Sequence, residues 1–198
     1  MENPWEKRFQ DEMYVYGTQP NQFIETYAEK LKDCLQIGAF AEGEGRNAVF
    51  LAKQGHQVTA FDYAESGLRK TKKLATEVNV KVETKLQDLI KDELPKEQFD
   101  AAIMVFGHFQ KQDQLNVLQK IADSVKTGGI IMMEIYSEQQ LQYGTGGPKQ
   151  IDMLYNAVDI LTWCEQFQVL HFFTGEEIRK EGILHNGLAH VIQFIIRK

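Results

Sequence analysis

Apolar and polar positions along the chain alternate between short, nearly continuous apolar runs and longer stretches of helical period, the pattern of stacked βα units. The first apolar run lies at 34–41. From Arg46 to about Gln54, Ala48, Leu51 and Ala52 then recur on one helical face, with Gly55 as a stop. HQVTAFD (56–62) reads as a second strand, and a helix at about 64–78 follows with Leu68, Thr71, Leu74, Ala75 and Val78 inward. VKVETKL (80–86) supplies a third strand. FDAAIMVF (99–106), almost wholly apolar after the polar DELPKEQ, suits a central parallel strand covered on both faces. A helix at about 112–126 carries Leu115, Leu118, Ile121, Ala122 and Val125 inward, and GGIIMMEIY (128–136) gives the fifth strand.

The flanks differ in character. Residues 20–33 and 150–166 are helical in pattern. FQVLHFF (167–173) and LAHVIQFIIRK (188–198) are two apolar strands joined by the glycine-containing EEIRKEGILHNG, which predicts an antiparallel hairpin. The expected fold is a single α/β domain: a doubly wound, mostly parallel sheet ending in an antiparallel β-hairpin. Within it, 1–33 form a helical cap, 34–136 the ligand-binding core, and 137–198 a substrate-side lid and the hairpin.

Length and composition narrow the function classes. The 198 residues, 43% hydrophobic and 25% charged, suffice for one domain with a full core. No apolar run approaches the ~18–20 residues of a membrane span. The opening MENPWEKRFQDEMYVYG has no apolar stretch of secretory type, so a cytoplasmic location is expected. A net charge of -6 argues against a protein that wraps nucleic acid, and the basic LRKTKK (68–73) reads as a solvated helix face. Cys34 and Cys164 are far apart, with no His or Cys at metal-ligand spacing, so reduced core thiols and no metal are expected.

In open sheets of this kind ligands bind outside the carboxyl ends of the strands, where the strand order reverses. Four clusters fall there. The loop after the first strand, AEGEGRNA, holds Gly43-x-Gly45-x-x-Ala48, glycines that let backbone turn tightly against a ligand. Asp62 ends the second strand about 20 residues after Gly43, the spacing of a carboxylate that holds a ribose diol. Gln87-Asp88-Leu89 follows the third strand and Phe106-Gly107-His108-Phe109 the fourth.

The loop also carries Glu42 and Glu44. A dinucleotide would set its pyrophosphate beside them, and at an effective dielectric of about 20 one like-charge contact at about 4 Å costs about 4 kcal/mol. S-adenosylmethionine has no phosphate and carries a sulfonium and an ammonium. An acidic lip therefore favours a cationic nucleoside over NAD or FAD.

These residues resemble the class I S-adenosylmethionine-dependent methyltransferases, a Rossmann-like family, and most closely a small bacterial group related to the tellurite-resistance and, more remotely, thiopurine methyltransferases. The resemblance spans YVYGTQPN (14–21), AEGEGRNAVFLA (41–52), VTAFDYAESGL (58–68) and QLQYGTGGPK (140–149). It implies S-adenosylmethionine as cofactor, with S-adenosylhomocysteine as product. The cofactor contacts it implies come from Ala41, Glu42, Gly43, Gly45, Arg46 and Asn47, from Asp62 and Tyr63, from Gln87, Asp88 (on the adenine amino group) and Leu89, and from Phe106 and Gly107. Two positions depart from the broad class: Ala39 stands where an acidic residue is usual, and Ala41 where the loop begins with glycine. By resemblance Glu42 substitutes for the missing charge.

Methyl transfer from a sulfonium has an excellent leaving group and needs mainly alignment. A soft thiolate or chalcogen acceptor requires no base, whereas a hydroxyl or amine makes His108, or Glu134 at the end of the fifth strand, the candidate base. YVYGTQPN and QLQYGTGGPK, with Tyr14, Tyr16, Tyr143, Thr145 and Lys149, are expected to close over the pocket as a substrate lid. The partner expected is a small-molecule acceptor, with no nucleic acid and no membrane, and the chain is expected to be a monomer or weak homodimer. Two other classes fit the same pattern: an NAD(P)-dependent oxidoreductase and a non-enzymatic adenosyl-nucleoside-binding module.

Overall fold

The structure is a computed structural model and describes residues 3–182 and 185–198. After helices α1 (Pro4–Arg8) and α2 (Gln22–Tyr27), the chain runs β1 (Gln36–Phe40), α3 (Arg46–Lys53), β2 (Gln57–Asp62), α4 (Glu65–Glu77), β3 (Val82–Leu86), β4 (Phe99–Val105), α5 (Lys111–Ser124) and β5 (Val125–Tyr136). Helix α6 (Ala157–Cys164) and strands β6 (Gln168–Glu181) and β7 (His185–Arg197) complete it. The strands form one sheet in the order β3-β2-β1-β4-β5-β7-β6. β1 pairs in parallel with β2 and β4, and β5 pairs antiparallel with β7 (Met132↔Ile195). The order reverses between β1 and β4, so the loops at 41–45 and 106–109 face each other across the switch point.

Because helices cover both faces of the central strands, successive residues of one strand feed two different cores. Phe40 joins Phe61, Phe99, Met104 and Leu118 on one side, and Ile37 and Ala39 join Ile24, Leu51, Leu74 and Met132 on the other. The stacked pair Phe40–Phe61, with ring centroids 4.8 Å apart, locks β1 to β2 beneath the glycine loop.

Boundaries moved where sequence periodicity was weakest. Leu115 and Val78, placed in the inward stripes, are exposed: Leu115 falls just past the buried arc of α5, and Val78 is the C-cap beyond the last turn of α4. The helical pattern at 20–33 is α2, capped by Asn21, followed by a 3-10 turn at Ala28–Leu31. At 150–166 a 3-10 turn, Ile151–Met153, precedes α6, whose first amides are held by Asn156.

The largest correction concerns EEIRKEGILHNG, read as a connector. Strand pairing continues through it from Gln168↔Arg197 to Glu181↔His185, and residues 183–184 lie outside the described residues. Arg179 and Glu181 are buried while Ile178 is 61% exposed, so this part of the hairpin is polar-in and apolar-out. An ion-pair network dictates that inversion.

Candidate active site

At the switch point lies a cavity of about 310 Å³, in the range of small-molecule sites. One half is built by the three βα loops after β1, β2 and β3: Ala41 to Glu44 with Arg46 and Asn47, then Asp62 and Tyr63, then Gln87 to Lys91. The rest of the lining is largely aromatic: Trp5, Phe9, Tyr16, Phe106 and Phe109, with His108.

The glycine loop is tightly packed. Gly45 has φ +90° and a Cβ there would lie 2.6 Å from the side chain of Thr71, so glycine is required both for the turn and for its contact with α4. Ala41 also has positive φ, at 50°. Because Gly45 caps α3 without a side chain, Glu42 supplies the missing acceptor: its Oε1 receives the amides of Asn47 (2.9 Å) and Ala48 (2.8 Å). Burial pushes the Glu42 carboxyl up to about 7, against the pull of these bonds and of Arg46.

Glu44, at the cavity edge, is likewise engaged by protein partners. It accepts from Lys70 Nζ at 2.7 Å and from the amide of Tyr16 at 3.3 Å. The acidic lip expected from the sequence is therefore largely committed: one carboxylate caps a helix and the other is neutralised by a lysine of α4. The charge argument against phosphate loses most of its force.

Asp62 stands at the end of β2, where its Oδ2 receives the amide of Gly43 and its Oδ1 that of Ala64, both at 2.8 Å. The Tyr63 amide also donates to this carboxylate, which keeps capacity for a further donor. Burial raises this carboxyl to about 6. Asp88 is held by Lys91 Nζ at 2.7 Å and by the amide of Ile90, at the far end of the same half. The side-chain amide of Gln87 donates to Glu93 O, while Leu89 packs into the core.

Phe106 has φ 55°, an uncommon conformation for a side chain of that size, and stacks on Tyr136 at 4.2 Å. His108 lies between Tyr136 (6.1 Å) and Trp5 of α1 (5.7 Å). Burial, helped by the nearby Arg8 charge, lowers its imidazole to about 4, so at neutral pH it is uncharged and only weakly basic.

Behind the cavity is a buried ion-pair network. Arg179 on β6 meets Glu134 on β5 at 2.7 Å, and Arg46 meets Glu181 at 2.7 Å. Asn21 donates to both glutamates at 3.1 Å, and Gln193 donates to Glu134 at 2.6 Å. The network ties the hairpin to the N-terminal segment and to the start of α3. Glu134 is thus engaged in structure, not in the cavity lining.

The expected lid residues separate. Tyr16 and Gly17 line the cavity, with the Tyr16 hydroxyl 2.8 Å from Arg8, whereas Tyr14 lies on α4 with its hydroxyl on Lys70 O. Tyr143 bonds Glu176 at 2.6 Å, Thr145 bonds Leu188 O, and Lys149 is exposed; none of these three lines the cavity. Sequence reasoning missed Trp5 and Phe9. Their four-residue spacing, after Asn3 and Pro4, was the available signal for a short capped helix with an aromatic face.

Residues 37–129 match the family described as a methyltransferase domain. No curated protein matches the sequence. Among solved structures, one described under the conversion of a disulfide bond into a thioacetal group during echinomycin biosynthesis is 13% identical, with 96% of this chain and 86% of that chain covered and a TM-score of 0.76. TehB from Haemophilus influenzae is also 13% identical, with 98% and 65% covered and a TM-score of 0.74, so this chain spans about two thirds of its length. An S-adenosylmethionine-dependent methyltransferase from Methanosarcina mazei is 14% identical, with 91% and 98% covered and a TM-score of 0.65. At these identities the likeness is one of fold. Residues 37–129, a little under half of the chain, match a methyltransferase domain, and the fold around them is shared with solved S-adenosylmethionine-dependent methyltransferases.

Proposed function

We propose that this enzyme methylates a small-molecule acceptor with a soft, thiol- or chalcogen-type nucleophile, by in-line displacement and without a general base. The observation that carries the reading is the aromatic part of the cavity lining, Trp5, Phe9, Tyr16, Phe106 and Phe109, together with a histidine stacked on Trp5 whose pKa lies near 4. An imidazole of that basicity is a poor match for deprotonating a hydroxyl or an amine at neutral pH. A thiol that ionises on its own needs only to be held in line.

The residues fit the cofactor. The remaining lone-pair capacity of Asp62 suits a ribose diol, Asp88 in the cavity lining is, by the resemblance, the candidate partner of an adenine amino group, and aromatic faces suit a sulfonium. When bound, S-adenosylmethionine supplies an activated methyl group. Asp62 and the 41–45 loop orient it, and the aromatic wall keeps water away from the acceptor. TehB, a structural neighbour, and the motifs AEGEGRNA and QLQYGTGGPK support placement in the tellurite-resistance-like subgroup. Among the described residues no helix is long and apolar enough to cross a membrane. We place the enzyme in the cytoplasm as a monomer or weak homodimer.

Calorimetry and radiolabelled methyl transfer test the reading. S-adenosylhomocysteine should bind in the micromolar range, on the order of -8 kcal/mol. Asp62→Ala should weaken it by ~1–3 kcal/mol. Across a panel of thiols, hydrosulfide, phenols and amines, label should appear on the sulfur acceptors. Tight binding of NAD with none of S-adenosylhomocysteine, or methylation confined to amines, would overturn it.

A further inference from the structure

The segment 106–109 is the wall that separates the aromatic half of the cavity from the core, and its backbone is pinned from outside the cavity. Tyr155, 1% exposed, donates from its hydroxyl to Gly107 O at 2.9 Å. Gln114 of α5, 5% exposed, donates from Nε2 to Phe109 O at 3.1 Å and to Leu154 O at 3.0 Å. Tyr155 is also sewn to the end of β5. Its amide donates to Tyr136 O, its carbonyl accepts from Glu138 N, both at 3.0 Å, and it forms an isolated bridge with Ser137.

One residue thus holds the ends of β4 and β5 at a fixed separation, and those ends carry His108 and Tyr136, which stack on each other. The segment needs such a hold. Phe106 sits at positive φ, and a Cβ on Gly107 would meet Met104 Sδ at 2.6 Å, so the turn is both strained and tightly fitted.

We propose that Tyr155, with Gln114 as second clamp, is a positioning residue that sets the acceptor wall at 106–109 and keeps His108 packed between Trp5 and Tyr136. Neither residue lines the cavity or touches the cofactor side. The idea rests on the reading that the aromatic half receives the acceptor. Its readout needs no acceptor.

Removing the Tyr155 hydroxyl leaves the Gly107 carbonyl buried without that donor, and the carbonyl regains a partner by turning toward water. The segment then loosens, and His108, already half-buried at the cavity surface, gains further contact with water. The groups packed on that ring are Trp5 and Tyr136, with the Arg8 charge nearby on α1. None is altered by the substitution, so a change in His108 titration reports the wall itself.

The experiment is an NMR pH titration of the histidine ring signals in the full chain, with His108 assigned by its loss in His108→Gln. In Tyr155→Phe, which keeps the ring and its packing, the His108 midpoint should rise by about one unit toward the ordinary value of 6.5 as desolvation is relieved. Gln114→Met should shift it in the same direction. Tyr27→Phe, which removes a hydroxyl 3.4 Å from His171 in a different part of the molecule, should leave it unchanged. An unshifted His108 midpoint in Tyr155→Phe, alongside a lowered melting temperature, would make Tyr155 a purely structural residue and overturn the proposal. If Tyr155→Phe does not fold, the Gln114→Met midpoint decides in the same way. Failure of S-adenosylhomocysteine to bind the wild-type chain would sink the acceptor reading while leaving this titration interpretable.

Discussion

Replacing Glu42 with glutamine tests whether the glycine loop stores a strained charge. Oε1 of Glu42 accepts from the amides of Asn47 and Ala48, and a glutamine amide oxygen offers the same acceptor without ionising. Burial raises the Glu42 carboxyl from 4.5 to about 7. In the folded ligand-free protein it therefore holds its proton up to about pH 7, while the unfolded chain releases it near 4.5. The folded state binds more protons across that window, so stability falls as pH rises. This contribution is fully present below 4.5 and is lost as pH passes through about 7. At 1.36 kcal/mol per unit, the shift amounts to about 3 kcal/mol.

Glutamine is free of that penalty but forms weaker, uncharged hydrogen bonds, so the expected gain at pH 8 is about 1–3 kcal/mol, shrinking toward zero near pH 5. Urea unfolding of wild type and Glu42→Gln at pH 5, 6, 7 and 8 reads this difference. Asp62, whose charge helps raise the Glu42 carboxyl and which titrates near 6, is coupled to it and shares part of the difference; groups away from the loop titrate alike in both proteins and largely cancel. A difference that stays flat across the series, or a variant less stable than wild type at pH 8, would refute the argument.

Two further outcomes are expected. Arg179→Met leaves Glu134 buried without its cation and should cost about 3–5 kcal/mol in urea unfolding, more than Lys126→Met, whose partner Asp100 is partly exposed; equal losses would contradict a buried network. In hydrogen exchange, S-adenosylhomocysteine should protect amides at 4–17, where Trp5, Phe9 and Tyr16 line the cavity, more than those at 141–149, and the reverse order would restore the later segment as the lid.

The sequence by itself determined the elements whose side chains bury in a regular period. The five βα-type strands and three crossover helices are legible because β1 and β4 are almost wholly apolar and the middle of each helix carries an apolar stripe, most of the buried polar residues (Arg46, Asn47, Ser66, Ser124) lying at helix ends. The loop 41–45 and Asp62 are legible as well, since glycines with positive φ and a strand-end carboxylate are local requirements of the switch point.

Tertiary structure decided the rest, for one physical reason: long-range polar partners reverse what local hydropathy indicates. EEIRKE reads as a loop, yet Arg179 and Glu181 are buried by Glu134 and Arg46, residues far away in the chain. Glu42 and Glu44 read as a free acidic lip, yet the N-terminus of α3 and Lys70 of α4 turn them inward. Trp5 and Phe9 stand in a charged N-terminal segment, and only the folding of α1 against α4 brings them to the cavity. His108 was legible as a residue at a strand end, but its low basicity comes from the rings around it, drawn from α1 and β5. Periodicity records which side of an element is apolar; which charge meets which partner is settled only when elements distant in sequence are packed together.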